Sequence, residues 1–167
     1  MFAQLETATG EQRRDLFQQL ACELICHEVC EQELLRPVSK RDAGEEIAGA
    51  RTHEEGVTGE LLMEMEKLDT DSSQFASELV KLRREVERHA EAEETQEFPR
   101  VQQNQSLERL EQMGRMYAVA KIAAPTRPYP PAPDTPVASM QVGPFAMVRD
   151  KARNAMRDAM KAGCLTR

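Results

Sequence analysis

Residues 22–37 of this 167-residue chain read CELICHEVCEQELLRP. The stretch holds three cysteines, one histidine and four glutamates inside what its spacing predicts to be a helix. Leu16, Leu20, Leu24, His27, Glu31 and Leu34 recur every three or four residues, which at about 100° per residue makes one stripe. Thr9, with Gln12 three residues on, forms a capping box that predicts the start of this helix, and Pro37 predicts its end. His27 and Glu31 therefore continue a face that the leucines mark as buried.

A later segment repeats the design. Asp71 and Ser72 precede a helix predicted from Ser73 to the neighbourhood of Pro99, with Phe75, Leu79, Leu82, Val86, His89 and Glu93 on one stripe. Again an apolar face ends in His-x-x-x-Glu. A buried imidazole and carboxylate left unpaired would cost on the order of several kcal/mol, so an inward pair needs hydrogen bonds, opposite charge or a metal. Between the two lies a helix opened by Asp42 and Glu45 and running to Leu68, with the third histidine, His53, at the edge of a stripe of Ile47, Ala50, Val57, Leu61 and Leu68. Up-down-up order puts both His/Glu pairs at one level of a bundle. Imidazole with carboxylate oxygen in such an interior is a ligand set suited to a pair of iron or manganese ions. An intrahelical ion pair accounts for either copy taken alone.

The rest of the composition agrees with an all-α fold: Glu, Ala, Arg, Leu, Gln and Met dominate and Trp is absent. Ser106 opens a further helix carrying Leu107, Leu110, Met113, Tyr117 and Ala120, up to Pro125. Seven of the nine prolines fall between 125 and 144, which predicts an extended linker. A last helix is predicted from Phe145 to Ala162, stopped by Gly163. The expected organisation is thus a helical bundle over 1–124, a Pro-rich linker over 125–144 and a basic helix or tail over 145–167. Six basic residues against Asp150 and Asp158 give that tail +4, so residues 1–144 carry −11 of the overall −7. The acidic body argues against nucleic acid as a partner, and the tail docks on it or stays loose. No apolar run approaches the ~20 residues of a spanning helix, and Met1 to Gly10 lacks the order of a secretory signal, which points to the cytoplasm.

Several stretches resemble the hemerythrin-like (HHE cation-binding) domain in its actinobacterial form: FAQLETATGEQRRDL, CHEVCEQELLRPV, THEEGVTGELLMEMEKLD, EVERHAEAEETQEFPRV and KIAAPTRPYPPAPDTP. The likeness covers nearly the whole chain, with H-x-x-x-E-E-x-x-x-F-P-R its most specific piece. The resemblance implies a hemerythrin-like up-down bundle holding two non-haem irons, with an open position for dioxygen, peroxide or nitric oxide. Carried over by position, it implies His27, His53 and His89 as terminal ligands and Glu31 and Glu93 as bridges. Glu28 matches a carboxylate that binds metal in some relatives. Peroxide breakdown is one activity found among relatives.

Two departures accompany the likeness. Family members begin with a helix bearing a further ligand histidine, whereas this chain starts at Met1 within the end of that helix, so the metal site is expected to be incomplete. Gly44, Gly49, Gly56 and Gly59 also weaken the helix that carries His53, at about 1 kcal/mol each relative to Ala. Three helices without the first would leave an apolar groove that favours a homodimer or a partner helix, so the competing function is a metal-free helical interaction protein. Cys22, Cys26 and Cys30 form their own stripe, about 120° from the His27/Glu31 face. They read as packing residues, with a thiol-based zinc or redox sensor as the alternative.

Overall fold

In the computed structural model, which describes residues 1–123 and 144–165, every regular element is helical. The order is α1 (Phe2–Thr7), α2 (Gly10–Cys30), a π-helical turn (Glu31–Leu35), α3 (Arg36–Asp42), α4 (Glu45–Met65), α5 (Ser73–Ala92), a second π-helical turn (Glu93–Glu97), α6 (Phe98–Asn104), α7 (Leu107–Ala123) and α8 (Pro144–Leu165). No helix among the described residues is long and apolar enough to cross a membrane. The Pro-rich stretch over 125–143 lies outside the described residues.

The helix starts follow local chemistry. Ser72 caps α5, its Oγ accepting from the Phe75 N–H at 3.1 Å, and Ser106 accepts likewise from Arg109 N–H at 3.2 Å ahead of α7. Gly10 begins α2 at φ +59, a conformation that favours glycine, and its N–H is held by the Asp71 carboxylate at 3.0 Å. The capping box expected at Asp42 and Glu45 is not formed. Gly44, at φ +102, is the N-cap of α4, and Asp42 instead accepts from Gln105 Nε2 at 2.5 Å.

Neither proline stops its helix. Pro37 and Pro99 each stand in the first turn of a new α-segment, α3 and α6, directly after a π-helical turn. Proline cannot donate to the carbonyl four residues back and its ring collides with it. The wider π turn opens the ladder there, so the chain continues helically instead of ending. The expected ends at Pro37 and Pro99 are therefore corrected to Asp42 and Asn104. Gly163 likewise lies inside α8 rather than stopping it.

The chain divides into two compact units. One comprises Met1–Phe17 and Leu35–Leu110; the other comprises Gln18–Leu34 and Glu111–Arg167.

In the first unit α5 buries the face its sequence marks: Phe75, Leu79 and Leu82 are at most 2% exposed. Each contributes about 1.5–3 kcal/mol of burial. The Phe75 ring meets Phe17 edge-on at 5.0 Å between centroids, and the Arg13 guanidinium lies 5.2 Å from its centre. On α4 the buried seam is Ala48, Arg51, Glu55, Thr58, Leu62 and Met65, spaced by three and four. This is not the stripe of Ile47, Ala50 and Val57 that the apolar residues alone suggest. The difference turns His53 outward and Glu54 and Glu55 inward.

In the second unit α2 buries Leu20, Ala21, Cys22, Ile25, Cys26, Val29 and Cys30, while Leu24 and His27 stay half-buried. The cysteine stripe is thus core. Helix α8 buries Phe145, Val148, Ala152, Met156 and Ala159, again at helical spacing. Its basic face meets α2 and the π turn that follows it: Arg149 stands 3.7 Å from Glu28, Arg153 3.2 Å from Glu33, and Arg157 3.4 Å from Glu33. Lys161 instead pairs with Asp158 of its own helix at 3.5 Å.

Candidate metal centre

In the first unit the His-x-x-x-Glu pair of α5 sits within a buried ionic cluster. The carboxylate of Glu54 faces His89 Nδ1 at 3.0 Å. A carboxylate only accepts, so Nδ1 donates to Glu54, while Nε2 faces Glu93 Oε1 at 3.4 Å. Glu54 itself is held by Arg51 at 3.1 Å and by Arg88 at 3.6 Å. An outer carboxylate that fixes the tautomer of an inner histidine is the usual support of a metal-binding imidazole.

Arg36, the first residue of α3, sits beside this pair and is 4% exposed. Its Nε donates to Glu55 Oε1 at 2.7 Å, Nη1 donates to both oxygens of Glu97 at 2.5 and 2.6 Å, and Nη2 donates to Glu93 Oε1 at 2.7 Å. Burial alone would make the guanidinium release its proton more easily. The charge of Glu55 and the hydrogen bonds to Glu93 and Glu97 outweigh that and hold it above the ordinary arginine range. Three carboxylates thus share one permanent cation.

The second unit holds the other pair. His27 Nε2 lies 2.9 Å from Glu31 Oε1, and Nδ1 lies 2.8 Å from the Tyr117 hydroxyl of α7. Glu31 is buried, whereas the His27 side chain is 44% exposed. Both glutamates, Glu31 and Glu93, are the first residues of the two π-helical turns. π turns inside α-helices recur at functional sites. Here the turn re-aims the carboxylate one helical turn after its histidine.

Metal-ligating donor atoms are carried by Glu55, His89 and Glu93 in the first unit and by His27 and Glu31 in the second. The set is imidazole nitrogen and carboxylate oxygen, which suits iron or manganese. His53 is not among them. It is exposed on α4, and the inward residue of that helix is Glu55. Sequence reasoning missed Glu54, Glu55, Glu97 and Arg36. One signal was available: His27 and Pro37 are separated as His89 and Pro99 are, so each His-x-x-x-Glu is followed by a proline at the same distance.

The cysteines take no part in that set. Burial, with the charges of Cys26 and Glu23 behind it, pushes the Cys22 thiol up from 9.0 to about 12. Burial likewise pushes Cys26 up to about 11 and Cys30 up to about 12. The folded chain keeps these thiols protonated at neutral pH, which disfavours zinc or redox chemistry. Because the folded values lie above the ordinary one, their contribution to stability is complete below pH 9.0 and declines as pH rises towards 11–12. The Cys22/Cys26/Cys30→Ala chain is expected to lack that alkaline decline in urea denaturation. Labelling of Cys22, Cys26 and Cys30 in the native chain at neutral pH should run at least about tenfold slower than in urea.

The family model of the Hemerythrin HHE cation binding domain matches residues 1–101. The chain belongs to this family, and its fold is a hemerythrin-like all-α bundle. No curated protein and no solved structure matches the chain.

Proposed function

We propose that the chain is a cytoplasmic non-haem iron protein of the hemerythrin type that binds or senses dioxygen, peroxide or nitric oxide. The observation that carries this reading is the cluster of buried carboxylates around His89 and Arg36. Glu55, Glu93 and Glu97 are each at most 3% exposed, and all three accept from the guanidinium of Arg36. Buried carboxylates favour a cation among them, and the imidazole beside them supplies the nitrogen donor that a transition-metal ion prefers. His89, Glu93 and Glu55 are the residues of the first unit that would hold iron, and His27 and Glu31 are those of the second. Bound iron supplies redox chemistry and an open coordination position. The chain's own part is to fix the donors: Glu54 holds the His89 tautomer, and Tyr117 holds the ring of His27.

The test is to purify the chain from iron-supplemented cells and measure iron per chain with its visible spectrum. Iron that changes its absorption on adding peroxide or nitric oxide supports the reading. A chain that stays colourless and metal-free after reconstitution sinks it. Glu54→Gln should leave the fold intact and weaken iron binding by about 10- to 100-fold, because the support of His89 is lost.

A metal-free interaction protein is the second reading. The observation in its favour is that Arg36 already sits among carboxylates that would bind metal.

A further inference from the structure

The resemblance implies two irons, but one cation is built into the chain. Glu93 Oε1 stands 3.4 Å from His89 Nε2, and the same oxygen accepts from Arg36 Nη2 at 2.7 Å. Glu55 Oε1, the inward carboxylate of α4, takes both Nε at 2.7 Å and Nη2 at 2.6 Å of the same guanidinium. A metal that draws on either oxygen competes with Arg36 for its lone pairs and meets a like charge a few ångströms away. The arginine cannot yield by losing its proton, since three acids surround it. Its fork is anchored on a third carboxylate, Glu97, which is 0% exposed.

Resting on the iron reading above, we propose that Arg36 stands in for one of the two metal ions. Its guanidinium offsets part of the negative charge of Glu55, Glu93 and Glu97 in the metal-free chain, limits the centre to one metal ion per chain, and sets how tightly that ion is held. Arg36 is thereby a determinant of metal stoichiometry rather than a ligand. The preceding Leu35 and the following Pro37 fix where it sits: Leu35 closes the π turn, and Pro37 stands in the first turn of α3, which Arg36 begins. The side chain therefore leaves the helix at the point where its register changes.

The experiment adds Fe(II) anaerobically to the metal-free full chain, removes unbound metal, and measures iron per chain and the shift in melting temperature. The natural chain is compared with Arg36→Met, with Arg36→Met/Glu97→Gln, which removes one charge of each sign, and with Arg36→Lys. The natural chain and Arg36→Lys should take up about one iron, and the two methionine variants should approach two and bind at least about tenfold more tightly. Fe(II) should also raise the melting temperature of the methionine variants by more than it raises that of the natural chain, since the ion takes over the neutralising role. Equal, non-zero iron in the natural chain and a folded methionine variant overturns the role of Arg36 and leaves the iron reading standing. No iron in any of the four chains overturns both. Iron in the methionine variants alone supports the role of Arg36 and removes the iron reading for the natural chain. Methionine variants that stay unfolded even with Fe(II) also overturn it, because the ion then fails to replace the guanidinium.

Discussion

Arg36→Ala is expected to destabilise the metal-free chain by about 3–5 kcal/mol, the usual cost of removing one partner from a buried ionic group. The geometry places this substitution at the upper end. The guanidinium makes charge-assisted hydrogen bonds to Glu55, Glu93 and Glu97 at 2.5–2.7 Å, and these carboxylates are 1%, 3% and 0% exposed. Alanine removes the countercharge the three share and leaves a void where a long side chain packed. Urea denaturation followed by circular dichroism measures the loss as a lower midpoint at unchanged slope.

Two companions separate charge from packing. Arg36→Ala/Glu97→Gln should recover part of the stability, and the recovery should be non-additive because both side chains belong to one network. Arg83→Ala, by contrast, removes pairs with Glu6 and Glu87 that stand in water, and should leave the midpoint unchanged within error. If Arg36→Ala behaves like Arg83→Ala, the buried cluster is not the electrostatic keystone of the first unit.

The parts of the fold that the sequence made legible are those set by apolar period and short-range caps. Of the expected stripe, Phe75, Leu79, Leu82 and His89 are buried on α5, Val86 is half-buried and Glu93 is buried just past the helix end, and Ser72 caps α5 as its position predicts. Two kinds of information were not legible. Pro37 and Pro99 read as helix ends because that rule assumes α-geometry throughout, and nothing local announces a π turn that accommodates proline. The seam of α4 was misplaced because a wheel scored on apolar residues cannot foresee that Arg51 and Glu55 fill buried positions. Such residues enter a core only with partners, and the partners are distant: Glu55, Glu93 and Glu97 lie 19, 57 and 61 residues from Arg36. Charges read as surface until the fold supplies their counterparts.

The histidines give the sharpest contrast between pattern and placement. His89→Ala is expected to weaken iron binding by about 100-fold or more, beyond the loss from an outer support, because it removes a nitrogen donor outright. Its ring lies between Glu54 at 3.0 Å and Glu93 at 3.4 Å and is 9% exposed. His53→Ala, on the outward face of α4, should change neither iron content nor stability, although the resemblance carries a ligand to that position. Glu55→Gln should instead weaken binding, since Glu55 is the residue α4 turns inward. All three variants can be read in one anaerobic Fe(II) titration alongside the natural chain. A His53→Ala chain that loses iron while Glu55→Gln keeps it would mean that the loaded protein turns α4 to present the other face. The ligand carried over from the resemblance would then displace the one seen in the structure.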